Sequence, residues 1–155
     1  MDTATLRHSS QAYVLLPDEG ETIAALGLRI LATDRDTGGA LTAGICTNPG
    51  PGGPPLHSHA AVDELYYVLA GRYRFKIRGD EIEGGPGTFA CVPRGISHTF
   101  ASVGPGEGKL LAITLPGTEN FLREMAHLQE QGTDQRKMVD HFRRHEASLD
   151  GPPLV

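Results

Sequence analysis

His57-Ser58-His59 puts two imidazoles on one side of an extended segment, because side chains two apart in a strand share a face. Glu64 follows five residues later, where an apolar strand running to Leu69 begins. His98 comes further along, at the start of another strand and just after the tight turn of Pro93-Arg94-Gly95. Neutral imidazoles with one carboxylate suit a single first-row divalent cation: Fe, Mn, Co, Ni, Cu or Zn. No thiolate joins the set, which argues against a structural zinc knot. Two histidines two apart occur by chance in many proteins. The weight comes from the whole arrangement, with glycine and proline where a sheet must turn.

Short strands are what bring such distant positions together. The cleanest covers 72–78, where Tyr73, Phe75 and Ile77 point one way and Arg72, Arg74, Lys76 and Arg78 the other. Gly79-Asp80 turns the chain into Glu81-Ile82-Glu83, so acidic side chains lie opposite the basic row and form a charge-paired, solvated face. Further strands are expected at 12–16, 22–33, 40–47, 88–92, 97–103 and 109–115. In 22–33, Leu26, Leu28, Ile30 and Ala32 alternate as in a half-buried strand. Turns are expected at 33–39, 84–87 and 104–106, and a loop at 48–55. This spacing indicates an all-β sandwich or barrel. The last quarter differs. Thr118 can cap a helix with Phe121, Leu122, Met125 and Leu128 on one stripe, ending at Gly132; Thr133 can cap a second with Met138, Val139 and Phe142. Both stripes are expected to pack on the barrel or on a second subunit. Gly151-Pro152-Pro153 reads as a tail.

The 155 residues fit one domain, with the barrel over about 12–116 and the helical segment over about 118–149. Apolar residues make up 39% and charged residues 21%, as in an ordinary globular protein. A net charge of −5 argues against a general nucleic-acid binder. Two cysteines, Cys46 and Cys91, are too few for a disulfide framework, and no run is long and apolar enough for a membrane span. MDTATLRHSS lacks the apolar stretch of a signal peptide, so a cytoplasmic setting is expected.

The spacing His57-x-His59-x4-Glu64-x6-Gly71, followed by Gly87-x5-Pro93-x-Gly95-x2-His98, resembles the two motifs of the cupin superfamily. Two positions depart from that pattern: Pro51 stands where the first motif opens with glycine, and Ser102 where the second closes with asparagine. Neither removes a ligand. The resemblance implies a jelly-roll β-barrel with two C-terminal helices, holding one divalent transition metal on His57, His59, Glu64 and His98 with one or two positions left open. More narrowly, the stretches 36–44, 54–71 and 85–100 are similar to single-domain cupins of the quercetin 2,3-dioxygenase-like kind.

That likeness implies a dioxygenase whose substrate is a small aromatic enol or flavonol, with dioxygen as co-substrate and Glu64 as the base. Tyr66, Tyr73, Phe75, Phe89 and Phe100 are then expected inside the barrel, either stacking on the substrate or simply filling the core. Cys91, on the same face as Phe89, is expected as a small buried thiol. His8, His127, His141 and His145 lie outside the motifs and are expected at the surface. Two alternatives stand beside the oxygenase. One is a non-oxidative cyclase, isomerase or lyase using the cation as Lewis acid; the other is a barrel that only binds a small molecule. Small cupins usually pair, so a homodimer is expected.

Overall fold

The structure is a computed structural model and describes residues 11–154; His8 lies outside the described residues. Its strands are β1 (Thr22–Ile23), β2 (Leu28–Ala32), β3 (Thr42–Asn48), β4 (Pro55–His59), β5 (Asp63–Ala70) and β6 (Tyr73–Ile77). They continue with β7 (Asp80–Gly84), β8 (Phe89–Val92), β9 (His98–Ser102), β10 (Gly108–Leu115) and β11 (Ala147–Pro153). Helices α1 (Glu119–Glu130) and α2 (Gln135–Arg144) precede the last strand. The strands form two antiparallel sheets, in the orders β1-β2-β3-β10-β5-β8 and β11-β4-β9-β6-β7. This is the all-β jelly roll with two helices that the turn spacing and the family resemblance lead one to expect.

Period-two alternation sorts each strand between core and solvent. On β6, Tyr73 and Phe75 are buried, while Arg74 and Lys76 face outward and pair with Glu83 and Glu81 of β7 at 2.7 and 3.6 Å. Tyr66, Val68, Phe100 and Leu110 complete the core between the sheets. Fully burying a side chain of this size contributes about 1.5–3 kcal/mol. β9 is buried on both faces. Its outer side is covered by the glycine-rich loop before β4, where Gly52 pairs with Ser102 and Thr99 Oγ1 donates to Pro54 O at 2.6 Å. A Cβ at Gly53 would collide with the Phe100 carbonyl oxygen, so the loop approaches this closely only with glycine there.

Several elements differ from the sequence expectation. Residues 12–16 form no strand; Tyr13 donates its hydroxyl to Leu31 O at 2.6 Å, and Val14 is exposed. The span 22–33 is broken by a 3-10 turn over Ala24–Leu26 that ends at Gly27, whose φ of 58° lies in the left-handed region. The end expected as a tail is β11, an edge strand paired with β4, where prolines are tolerated and register shifts absorb Gly151 and Pro153. Asp134, not Thr133, caps α2, its Oδ1 accepting from Lys137 N at 2.9 Å. Thr118 does stand before α1, but its hydroxyl bonds Thr114 Oγ1 at 2.9 Å instead of capping. No helix among the described residues is long and apolar enough to cross a membrane.

Glu119 anchors α1 to the barrel. Its Oε1 accepts from Arg35 and from Arg123, both at 2.9 Å, and Arg123 continues to Glu21 at 2.7 Å. Burial pushes the Glu119 carboxyl up, but Arg35 and Arg123 outweigh it and hold it below the usual range. A carboxyl depressed on folding stabilises above its unfolded pKa and loses that contribution as pH falls through the folded value. Glu119→Gln is expected to lower stability by about 1–2 kcal/mol at pH 7, the arginines being partly solvated. The difference from wild type should shrink as pH drops below the carboxylate range, which denaturant unfolding at several pH values will measure.

Candidate metal centre

The two sheets each contribute to one buried point. β4 turns His57 and His59 inward, and His57 stands directly opposite His98 of β9 in the same sheet. A three-residue turn over 60–62 carries the chain into the other sheet, where β5 buries Glu64, Tyr66 and Val68 on its inner face. Glu64 Oε2 lies 3.8 Å from His57 Nε2, 3.8 Å from His59 Nε2 and in close contact with His98 Nε2. All four residues expected as ligands therefore converge. His57, Glu64 and His98 offer donor atoms within 4.8 Å of one another and could hold a metal ion; His59 stands just outside that trio while still reaching Glu64.

The imidazoles are oriented by the backbone. His57 Nδ1 donates to Pro55 O at 2.8 Å, and His98 Nδ1 donates to Ile96 O at 2.9 Å. In each ring this directs Nε2 toward Glu64, as in histidines that bind a metal. Burial drives the His57 imidazole down to about 4 against the opposing pull of Glu64, and lowers His59 in the same way. Burial would raise the Glu64 carboxyl, but the bond to His98 and the neighbouring imidazoles hold it down at about 2. On His98 the balance runs the other way, burial being outweighed by Glu64, so its pKa is raised. A cation bound at this point would compete with protonation of His98. Glu64 Oε2 is fully enclosed, with three imidazole nitrogens around it. This donor set fits a first-row divalent cation.

A cavity of about 500 Å³ opens beside these residues. Of the aromatics expected there, Tyr66 and Phe100 line it, while Tyr73 and Phe75 pack deeper in the core. Phe89 is a correction: it is 60% exposed, because Ala90 and Val92 are the inward positions of β8. Cys91 shares that outer face and is exposed, not buried. Tyr66 does more than fill space. Its hydroxyl lies 3.3 Å from His98 Nε2, and burial together with Glu64 raises its pKa well above the ordinary value, so it stays protonated. Burial pushes the Cys46 thiol up to about 12, so it lines the cavity as a neutral group.

The helices complete the wall. Phe121, Leu122 and Met125 of α1 and Met138 and Phe142 of α2 line the cavity. Phe121 sits edge-on to His59 with ring centres 5.2 Å apart, and Phe142 edge-on to His57 at 6.0 Å. The apolar stripes were visible in the sequence as packing faces, but not that what they cover is the mouth of a site. His141, expected at the surface, is fully buried because its ring stacks on Phe121. His145 is half-buried, and His127 is exposed as expected.

Residues 45–114 match the model of the family described as Cupin domain. No curated protein matches the sequence. Among solved structures, KdgF from Halomonas sp. superposes with a TM-score of 0.54 at 20% identity, covering 61% of this chain and 83% of that one. A predicted oxalate decarboxylase from Thermotoga maritima gives 0.56 at 21%, over 57% of this chain and 78% of that one. A cupin protein from Bacteroides fragilis gives 0.53 at 18%, over 70% of this chain and 86% of that one. At such identities the likeness is one of fold, and the fold is the cupin jelly roll.

His98→Ala is expected to lose metal from this centre while keeping a cooperative unfolding transition, because Phe75, Phe100 and Leu110 hold the core without it. Elemental analysis and circular dichroism read the two effects. Unchanged occupancy of the centre would remove His98 from the ligand set.

Proposed function

We propose that the protein is a metal-dependent dioxygenase that opens the ring of a small, flat aromatic enol of the flavonol type. The observation that carries this reading is the cavity wall. Phe100, Phe121, Phe142, Met125 and Met138 bound it, and among the described residues no lysine or arginine lines it. A dicarboxylate or phosphate ester would call for a fixed cationic side chain. A flat neutral aromatic needs apolar walls and a few convergent polar groups, which is what surrounds Glu64 and Tyr66.

His57, His59, Glu64 and His98 are the residues that would hold the cation. When bound, it would supply a Lewis acid that eases loss of an enol proton and, if redox-active, a route for electrons to dioxygen. Glu64, ionised at neutral pH, accepts that proton. Tyr66 keeps its own proton and donates a hydrogen bond to the enolate oxygen. Phe121 and Phe142 stack against the ring and keep water from it. One dioxygen is consumed per substrate, both oxygen atoms ending in the cleaved products, and Glu64 returns its proton.

A non-oxidative isomerase or cyclase is the second reading, favoured by the pairing of an ionised Glu64 with a protonated Tyr66, which suits proton transfer within one substrate. Oxygen uptake with a flavonol, using the chain loaded in turn with iron, manganese, cobalt, nickel or copper, separates the two. The proposal expects stoichiometric uptake that falls about 10²-fold or more in Glu64→Gln, the usual weight of a general base. Turnover that is unchanged without oxygen would replace the dioxygenase with the second reading, and saturable binding without product would overturn both.

A further inference from the structure

A second group of metal-ligating side chains lies away from the barrel centre, between the two helices. Glu124 of α1 places its Oε2 3.0 Å from His145 Nε2 and 3.4 Å from His141 Nδ1. These three donor atoms all lie within 4.8 Å of one another. His141 lies in the last turn of α2 and His145 is the residue that caps it, and both side chains reach Glu124. Tetrahedral ligands at about 2.0–2.2 Å from a divalent cation stand about 3.3–3.6 Å from each other. The separations from Glu124 are already close to that edge length.

A second, independent observation comes from His141 itself. Its side chain is fully buried, yet neither ring nitrogen has a hydrogen-bond partner among the described residues, and the approach to Glu124 lacks hydrogen-bond geometry. Buried polar atoms in native proteins are nearly always paired, so an imidazole left in this way lacks a partner. What holds the ring is packing: it stacks on Phe121 with ring centres 4.6 Å apart. A surface hollow bounded by Arg123, His127 and Arg144 reaches Glu124, which is itself half-exposed, so the carboxylate of the trio meets solvent.

We propose that Glu124, His141 and His145 form a second site, for a borderline divalent cation such as Zn²⁺, which clasps α1 to α2 over the mouth of the cavity. Two imidazoles and a carboxylate suit that class of ion, and the exposed side leaves a position for water. Phe121 lies between this site and the barrel, stacked on His141 and edge-on to His59. An ion in the clasp therefore fixes the aromatic wall of the cavity without touching the substrate. Arg144 Nη2, 3.5 Å from the same Glu124 oxygen, competes with the cation for that carboxylate.

The test is a titration of the chelator-stripped full chain with Zn²⁺ against a chromophoric chelator, with thermal unfolding followed in parallel. Wild type is expected to take up two equivalents. Glu124→Gln and His145→Gln, both toward solvent and expected to fold, should weaken the second equivalent at least about 10–100-fold, the loss that even outer partners of a metal site cause. His98→Ala should keep that equivalent and its Zn²⁺-dependent rise in Tm, which separates the clasp from the barrel centre. Arg144→Gln should tighten it, an effect that an ion-pair role for Glu124 would not produce. A single equivalent in wild type that disappears in His98→Ala would overturn the proposal. So would a second equivalent that survives both Glu124→Gln and His145→Gln, or one that weakens in Arg144→Gln.

Discussion

An ionised carboxylate enclosed in an apolar interior must be surrounded by groups that compensate its charge, and Glu64 is such a carboxylate. Three imidazole nitrogens face it, two of them on rings tethered to backbone carbonyls two residues earlier in the chain. Burial alone would neutralise the group; the imidazoles keep it charged. This balance is the constraint from which the arrangement of the barrel follows. β4 and β9 must lie side by side for His57 and His98 to meet, and β5 must face them from the other sheet for Glu64 to close the set. The packed core of Tyr73, Phe75, Phe100 and Leu110 keeps the sheets at that separation.

The helices extend the same logic outward. A buried polar centre open to water would be a weak place for chemistry on a hydrophobic molecule, because solvent screens every interaction there. Phe121 and Phe142 press on His59 and His57 and wall the cavity, while Glu119 pins α1 to the Arg35 turn and, through Arg123, to Glu21. β11 then returns from α2 to pair with β4, holding the strand that carries His57 and His59 from its free edge. The helical segment thus covers the site and stabilises it.

His57 and His59 were legible as a pair because side chains two apart share a face in any strand; that Glu64 and His98 join them was implied by the resemblance to the cupin motifs. The charge-paired β6–β7 hairpin was legible from the same two-residue period. Other features depend on information that spacing does not carry. Phe89 was expected inward, but the side of β8 that faces the core is set by its pairing with β5, where Ala90 stands opposite Tyr66 and Val92 opposite Glu64. The alternation through Leu26 hid a break at Gly27, where the chain adopts a left-handed conformation. Gly151-Pro152-Pro153 looked like a tail because prolines discourage strands, yet the free edge of β4 accepts them. His141 offered no local signal of burial; only the packing of α2 against Phe121 encloses it.

The central claim is that Glu64 and its three imidazoles are the ligands of a cation. Anomalous scattering at the absorption edge of the metal carried by the purified protein tests this most directly. The account predicts a peak enclosed by His57, His59, Glu64 and His98, about 2.0–2.2 Å from the donor atoms. Crystals of protein carrying stoichiometric metal that show no peak at this point would contradict it.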